Sequence, residues 1–393
     1  MMEMNESVWQ RGDGEKMERK IKCVYMRGGT SKACFFREED LPDNSEERDK
    51  VLLRVFGSPD PKQIDGMGGA VGVTSKAAII SISERENADI NYDFNQIGID
   101  KPEVQKNANC GNISSAVGPY AIEEGLVPVT EPETLVRIYN KNTGKIIHSH
   151  VPVTDGGYDP RGDYKIAGVP GTGAKVALEF FEPQGAVTGV TLPTGNAKDT
   201  IEIEGRIYEY SFVDAANPVV FFKLEQFGVD PYILPAEYER LPDIAEIKRK
   251  LEILRGTCAI KAGLAVSLED AQKNSPGLPK MVGCCAAKDY MSSEGELIQQ
   301  GEIDMVGRFI TMREKMAPAF AVTGGICLGV AACTKGTLVN ELTFGNHIGP
   351  SQVVRIGHPC GVMDVEIKMD GQQILSCLVG RTARRIMDGF VYV

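Results

Sequence analysis

Nowhere does this chain approach the roughly 18 consecutive apolar residues that a membrane-spanning helix needs. Its first twenty residues are polar and charged, with no apolar core for a secretory signal. Residues 1–18 read as a disordered leader that carries the single tryptophan, Trp9. Positive charge is also scarce. Forty-three Lys and Arg stand against 54 Asp and Glu, a net charge of −11. That balance excludes nucleic acid and anionic membrane surfaces as natural partners. An anionic ligand would need a local positive site. Histidine is rare: only four occur, at 148, 150, 347 and 358. The ten cysteines form no Cys-x-x-Cys pair, so the spacing of a zinc site is missing. Without a secretory context these thiols are expected to be reduced and mostly packed as small apolar groups in a cytoplasmic protein.

What is present starts at Asn109-Cys110-Gly111-Asn112. Ile113, Ala116, Val117, Tyr120 and Ala121 follow at i, i+3, i+4, i+7 and i+8, one apolar face of a helix. Gly125 and Pro128 supply its stop signal. Cys110 is thereby placed at a helix N-terminus, where unpaired N–H groups and the dipole favour a thiolate or a bound carboxylate. A Cys-Gly pair alone is more often a packed thiol before a turn. Asn109 and Asn112 add polar groups that an apolar helix start does not need.

Elsewhere, residues 21–153 alternate short β-type runs with Gly-rich turns. Residues 21–26, 71–82 and 89–94 read as strands, and 41–57 as a helix capped by Asp43 or Ser45. Leu135-Val136-Arg137-Ile138-Tyr139 and Lys145-Ile146-Ile147 read as a hairpin across Asn142-Thr143-Gly144. The Gly/Pro/Thr-rich segment 171–195 reads as a connector. Beyond it the plan repeats, with strands at 199–213 and 219–224 and polar helical runs at 235–254 and 295–312. A second Gly-led apolar helix then starts at Thr323-Gly324-Gly325. Two equivalent buried helices imply an internal duplication with a cleft between the halves.

Four further segments carry polar chemistry. Arg27-Gly28-Gly29-Thr30-Ser31 offers a cation, hydroxyls and open N–H groups suited to a carboxylate. Its spacing is not that of a phosphate or dinucleotide loop. Ser75-Lys76 places one lysine in an apolar run, either snorkelling at an edge or buried and equipped for proton transfer. Asn217 closes a strand before Pro218, an ordinary Asn-Pro turn or an amide set to bind a carboxylate. Thr323 and Gly324 head the second helix, as a close-packed entry or as a second anion-facing start.

Taken in order, Met26-Arg27-Gly28-Gly29-Thr30-Ser31-Lys32, Gln63-Ile64-Asp65-Gly66-Met67-Gly68-Gly69, Thr74-Ser75-Lys76 and Asn109-Cys110-Gly111-Asn112 resemble the 2-methylaconitate isomerase family. So do Asp214 to Pro218, Val322-Thr323-Gly324, His358-Pro359 with Gly361, and Arg381-Thr382-Ala383-Arg384-Arg385. The resemblance runs from about Ile21 to the C-terminus, and the family is similar in fold to diaminopimelate epimerase. It implies an α+β fold of two similar domains, each a β-barrel-like sheet wrapped around a central helix. The domains are expected at 19–190 plus about 378–393, and at 191–377.

The resemblance further implies a cofactor-independent isomerase of small unsaturated di- or tricarboxylates, with Lys76 and Cys110 as catalytic groups. Arg27, Gly29, Thr30, Ser31, Ser75, Asn109, Gly111, Asn112, Asn217, Thr323 and Gly324 are the expected substrate-binding residues. No metal is expected, and assembly as a homo-oligomer is compatible with the reading. Conversion of 3-methylitaconate to 2,3-dimethylmaleate is the first expectation. Next come 2-methylaconitate cis-trans isomerisation and 4-oxalomesaconate tautomerisation. A carboxylate-binding protein without activity is the alternative from another class, disfavoured by the presence of both Lys76 and Cys110.

The chain departs from its relatives in three places, the simplest being Ala33, which stands where many relatives have Gly after Thr30-Ser31-Lys32. Diaminopimelate epimerases set a cysteine at the head of each central helix, whereas here Thr323 heads the second and Cys327 lies a turn inside. A symmetric two-thiol amino-acid epimerase is therefore not expected. Many relatives carry a basic residue around Met316-Ala317-Pro318; these three positions themselves carry none here, Lys315 standing just before them, and that is read as favouring a dicarboxylate over a tricarboxylate.

Overall fold

The computed structural model describes residues 19–106, 109–311, 314–345 and 349–393. The expected leader and His347 lie outside them. Eighteen strands join in one continuous sheet that folds around two buried helices. The first helix, Gly111–Glu123, buries Ile113, Val117 and Tyr120, and each such side chain contributes on the order of 2 kcal/mol. The second helix, Val322–Cys333, is buried at every position. Helices apolar on all sides belong in the middle of a domain. Their glycines let the surrounding strands come close. A Cβ at Gly118 would meet Ser149 at 2.5 Å, and one at Gly329 would meet Val365 at 3.0 Å.

The first helix packs against strands that include Lys20–Gly28, Ser31–Arg37, Glu133–Asn140, Lys145–Thr154, Val176–Phe181 and Ala383–Tyr392. The second packs against Arg206–Ala215, Asn217–Lys223, Ser351–His358, Gly361–Asp370 and Gln373–Arg381. This is an α+β fold of two similar units, each a barrel-like sheet around a central helix. Val176–Phe181 pairs antiparallel with Lys145–Thr154 on one side and with Gln373–Arg381 on the other, which ties the halves together. The last strand, Ala383–Tyr392, returns to pair with Lys20–Gly28.

Several local expectations are corrected. Residues 295–311 of the expected helical run 295–312 are not an α-helix, and Met312 lies outside the described residues. Met305–Ile310 is a fully buried strand paired with Lys280–Ala286, because its Val, Phe and Ile fill a two-sided core. The run 71–82 becomes a strand only from Lys76, since Gly72 and the preceding glycines hold 71–75 in turns. The first surface helix is Ser45–Phe56, capped by the Asn44 side chain and not by Asp43 or Ser45. The run 235–254 splits into Pro235–Tyr238 and Ile244–Lys261, because Pro242 lacks the N–H to continue a helix. The segment 171–195 is more than a connector, for it contains the bridging strand Val176–Phe181.

Candidate active site

The two central helices meet head to head. A Cβ on Gly111, first residue of the first helix, would lie 2.6 Å from the Cβ of Val322, first residue of the second. Only a residue without a side chain allows that approach. Neither first turn carries an acidic residue. Two sets of amide N–H groups and two positive dipole ends therefore converge without an internal counter-charge, an arrangement that stabilises an anion.

Cys110 is the N-cap of the first helix, with extended backbone (φ −118°, ψ 94°) and no capping hydrogen bond from its side chain. It is half-buried, and the other nine cysteines are buried. Cys327 donates to the Val213 carbonyl at 3.3 Å, and burial holds its pKa well above the ordinary thiol range. The junction thus offers one accessible thiol.

Asn112 organises the wall beside it. Its amide donates to Thr30 Oγ1 at 3.0 Å, and its carbonyl accepts from Arg381 Nε at 3.2 Å. Gly29 is required here: its φ is +50°, and a Cβ would fall 2.2 Å from Asn112 Oδ1. Arg27 donates to the carbonyls of Gly29 and Thr382, both at 2.9 Å, so its guanidinium braces the turn that presents Thr30. Ser31 is buried at the start of the next strand. Asn109 accepts from Asn140 at 2.9 Å. In the second half, Asn217 donates to Thr323 Oγ1 at 2.8 Å, joining a strand start to the helix head. Gly324 lies under the Phe309 ring, where a Cβ would clash at 2.4 Å.

Lys76 is 7% exposed at the start of the strand Lys76–Ile82. Its ammonium donates to Gln96 Oε1 and lies 5.2 Å from the centre of the Phe94 ring. Gln96 is itself fixed by donating to the carbonyls of Gly72 and Ser75, at 3.1 and 2.9 Å. Among the described residues no carboxylate pairs with Lys76. Ser75 donates to Gln63 Oε1 at 2.6 Å, which spends its hydroxyl on the supporting loop. No direct contact links Lys76 to Cys110. Their common ground is the strand Ser31–Arg37, which pairs with Lys76–Ile82 and whose leading turn touches Asn112.

Residues 18–393 match the family model described as PrpF protein. The chain belongs to the PrpF family. It is 42% identical to the 3-methylitaconate isomerase of Eubacterium barkeri, over 95% of this chain and 97% of that one. It is 38% identical to the 2-methyl-aconitate isomerase of Shewanella oneidensis, at 95% and 97% coverage. A crystal structure of methylitaconate-delta-isomerase superposes with a TM-score of 0.84, at 40% identity and 96% coverage of both chains. These relatives are isomerases over nearly their full length, and this PrpF-family chain is an isomerase.

Sequence reasoning overlooked several groups around this PrpF-family site. Gln96 orients Lys76 from the neighbouring strand, and nothing in its local sequence marks it. Lys280, half-buried at the start of Lys280–Ala286, has its pKa brought down to about 8 by burial and by the charges of Arg255 and Lys76. A lysine opening an apolar run is the signal it shared with Lys76. Arg381 belonged to a recognised motif, but its reach to Asn112 depends on strand pairing far along the chain. Among the described residues no group of His, Cys, Asp and Glu is placed to hold a metal, and no helix is long and apolar enough to cross a membrane.

Proposed function

We propose that this chain is a cofactor-independent allylic isomerase of small unsaturated dicarboxylates, with 3-methylitaconate and 2,3-dimethylmaleate as its first pair. The observation that carries this reading is the head-to-head meeting of two helix starts around the single accessible thiol, Cys110, with the buried Lys76 rooted on an adjoining strand. The 42% identity to the Eubacterium barkeri enzyme supports the choice of substrate. In the reaction a proton leaves the carbon between the carboxylate and the C=C bond. The electron pair moves through the allyl system, and a proton adds at the methylene carbon. Lys76 and Cys110 share removal and return, so no atom or electron is gained or lost.

The intermediate resembles a dienolate, and its charge falls where fixed donors already point. Those donors are the first-turn amides of both helices, the Thr30 hydroxyl and the Asn217–Thr323 pair. Arg27, Gly29, Ser31 and Ser75 build the loops behind them, Asn109 flanks Cys110, and Gly111 and Gly324 permit the close approach. We take 19–190 with 378–393, and 191–377, as the two domains that close on the substrate in a cytoplasmic enzyme. Isomerisation of 2-methylaconitate is the second reading, favoured by the Shewanella oneidensis relative. The lack of a basic side chain at Ala317 and Pro318 weighs against a third carboxylate.

The test compares Lys76→Ala with Lys32→Ala, following the change in ultraviolet absorbance as the double bond moves. Loss of a general acid–base group costs roughly 10²–10⁴-fold. Lys32 is half-buried, with its ammonium 5.5 Å from the Tyr25 ring centre, and its removal should leave turnover close to wild type. If Lys76→Ala retains full turnover, Lys76 is structural and the mechanism falls.

A further inference from the structure

Three arginines are buried among the described residues, and they are treated differently. Arg255 is neutralised by Glu252 through bonds of 2.6 and 2.5 Å. Arg308 stacks over the Tyr290 ring and donates to the carbonyls of Ile233 and Tyr232 at 3.1 and 3.2 Å. Arg381 pairs with no carboxylate, and the Tyr164 phenol on the same cavity wall stands within its electrostatic reach. Its guanidinium donates to the Gly380 carbonyl at 2.8 Å, to Asn112 Oδ1 at 3.2 Å and to Met363 Sδ at 2.7 Å. A thioether is a weak acceptor, so donor capacity remains unspent. A buried cation with so few partners is costly unless an anion joins it.

Arg381 lines a cavity of about 320 Å³ between the two halves. Thr30 lies on the same wall, and its hydroxyl oxygen already accepts from Asn112, which leaves its own proton to give. His358 is also on the wall, 3% exposed, and its Nδ1 has no hydrogen-bond partner. Arg355 lines the cavity too but is paired with Asp304 at 2.7 Å. Glu302 and Asp364 stand on the wall, and neither pairs with Arg381. Two polar groups therefore lack full partners around a space that a small molecule can enter. Through Asn112, the guanidinium touches the first helical turn two residues from Cys110.

We infer that this cavity seats the substrate carboxylate remote from the migrating proton, with Arg381 as its counter-charge and Thr30 as a second donor. The inference rests on the reading of the substrate as a dicarboxylate. It assigns Arg381 to binding, and it makes the second carboxylate the basis for selecting diacids over monoacids. Burial lowers the pKa of Arg381 only to about 10, so the guanidinium stays charged at neutral pH. The same burial, with Arg381 and Arg308 nearby, drives His358 to about 3 and keeps its ring neutral.

The experiment is calorimetric titration of wild type, Arg381→Met and Arg381→Lys with maleate and with crotonate, a monoacid of similar size. Thermal melting of each variant reports its fold. Arg381→Met should bind maleate about 10- to 100-fold more weakly, with partial recovery in Arg381→Lys and little change for crotonate. A folded Arg381→Met that binds maleate like wild type overturns the assignment, as does wild type that does not bind maleate. Should Arg381→Met fail to fold, Thr30→Val replaces it: weaker maleate binding supports the pocket, and unchanged binding overturns it. Binding does not require turnover, so the two readings fail separately. Arg381-dependent maleate binding without isomerisation of any diacid removes the proposed reaction and keeps the pocket. Isomerisation that is indifferent to Arg381 does the reverse.

Discussion

At the scale of single residues, accessibility separates Cys110 from every other thiol in the chain. Iodoacetamide should therefore label Cys110 first, and a bound dicarboxylate, lying against the same helix start, should slow that labelling. Mass mapping of a partial alkylation reads both effects. Earlier labelling of another cysteine, or no protection by diacid, would return Cys110 to the role of a packed thiol. His358 makes a separate prediction about acid stability. Its folded pKa of about 3 lies below the ordinary value of 6.5, so the unfolded chain takes up a proton that the folded chain refuses. Its contribution is present above pH 6.5 and is lost as pH falls from there toward 3. His358→Asn should lessen the acid destabilisation by roughly 3 kcal/mol at pH 4, measured by denaturant titration across pH. An acid limb identical to wild type would show that the ring is not held neutral. Cys110, Asn112 and Thr30 were legible because motif and helix start coincide in one short stretch. Gln96, Lys280 and Arg381 were not, because strand pairing brings each of them to the site from a distant part of the chain.

At the scale of elements, the two helix starts set the geometry. Gly111→Ala would drive a methyl group into Val322, and overpacking of this kind costs about 1–3 kcal/mol. The strain falls on the junction between halves and not on either sheet. The variant should remain folded by circular dichroism, melt at a lower temperature and lose most of its turnover. Wild-type turnover with an unchanged melting temperature would mean that the close approach of the helices does not matter. The central helices were readable in advance because apolar spacing, Gly-rich entries and stop residues all agreed. Residues 295–312 were misread because polar residues around Gln300–Glu302 imitate a helical surface. Burial of Met305–Ile310 on both faces then hid the alternation that marks a half-exposed strand.

At the scale of the whole molecule, a chain of net charge −11 needs a local positive site to take the anionic substrate proposed for it, and the junction of the two helix starts is where that site is proposed. Two helix starts meet between halves that share an antiparallel strand pair, with Arg381 bonded to Asn112 in the first turn of one of them and Lys76 on a strand that pairs with Ser31–Arg37. The duplication was legible as two Gly-led apolar helices. The crossing of Val176–Phe181 onto Gln373–Arg381 was not, since long-range pairing leaves no local trace. The most direct test is proton NMR in heavy water with itaconates, aconitates and maleates as substrates. The expected result is an allylic shift of the double bond in a dicarboxylate, with deuterium entering at the new methyl group and exchange lost in Lys76→Ala. Absence of both isomerisation and exchange for every diacid, with a folded protein, would contradict the assignment of proton transfer to this junction.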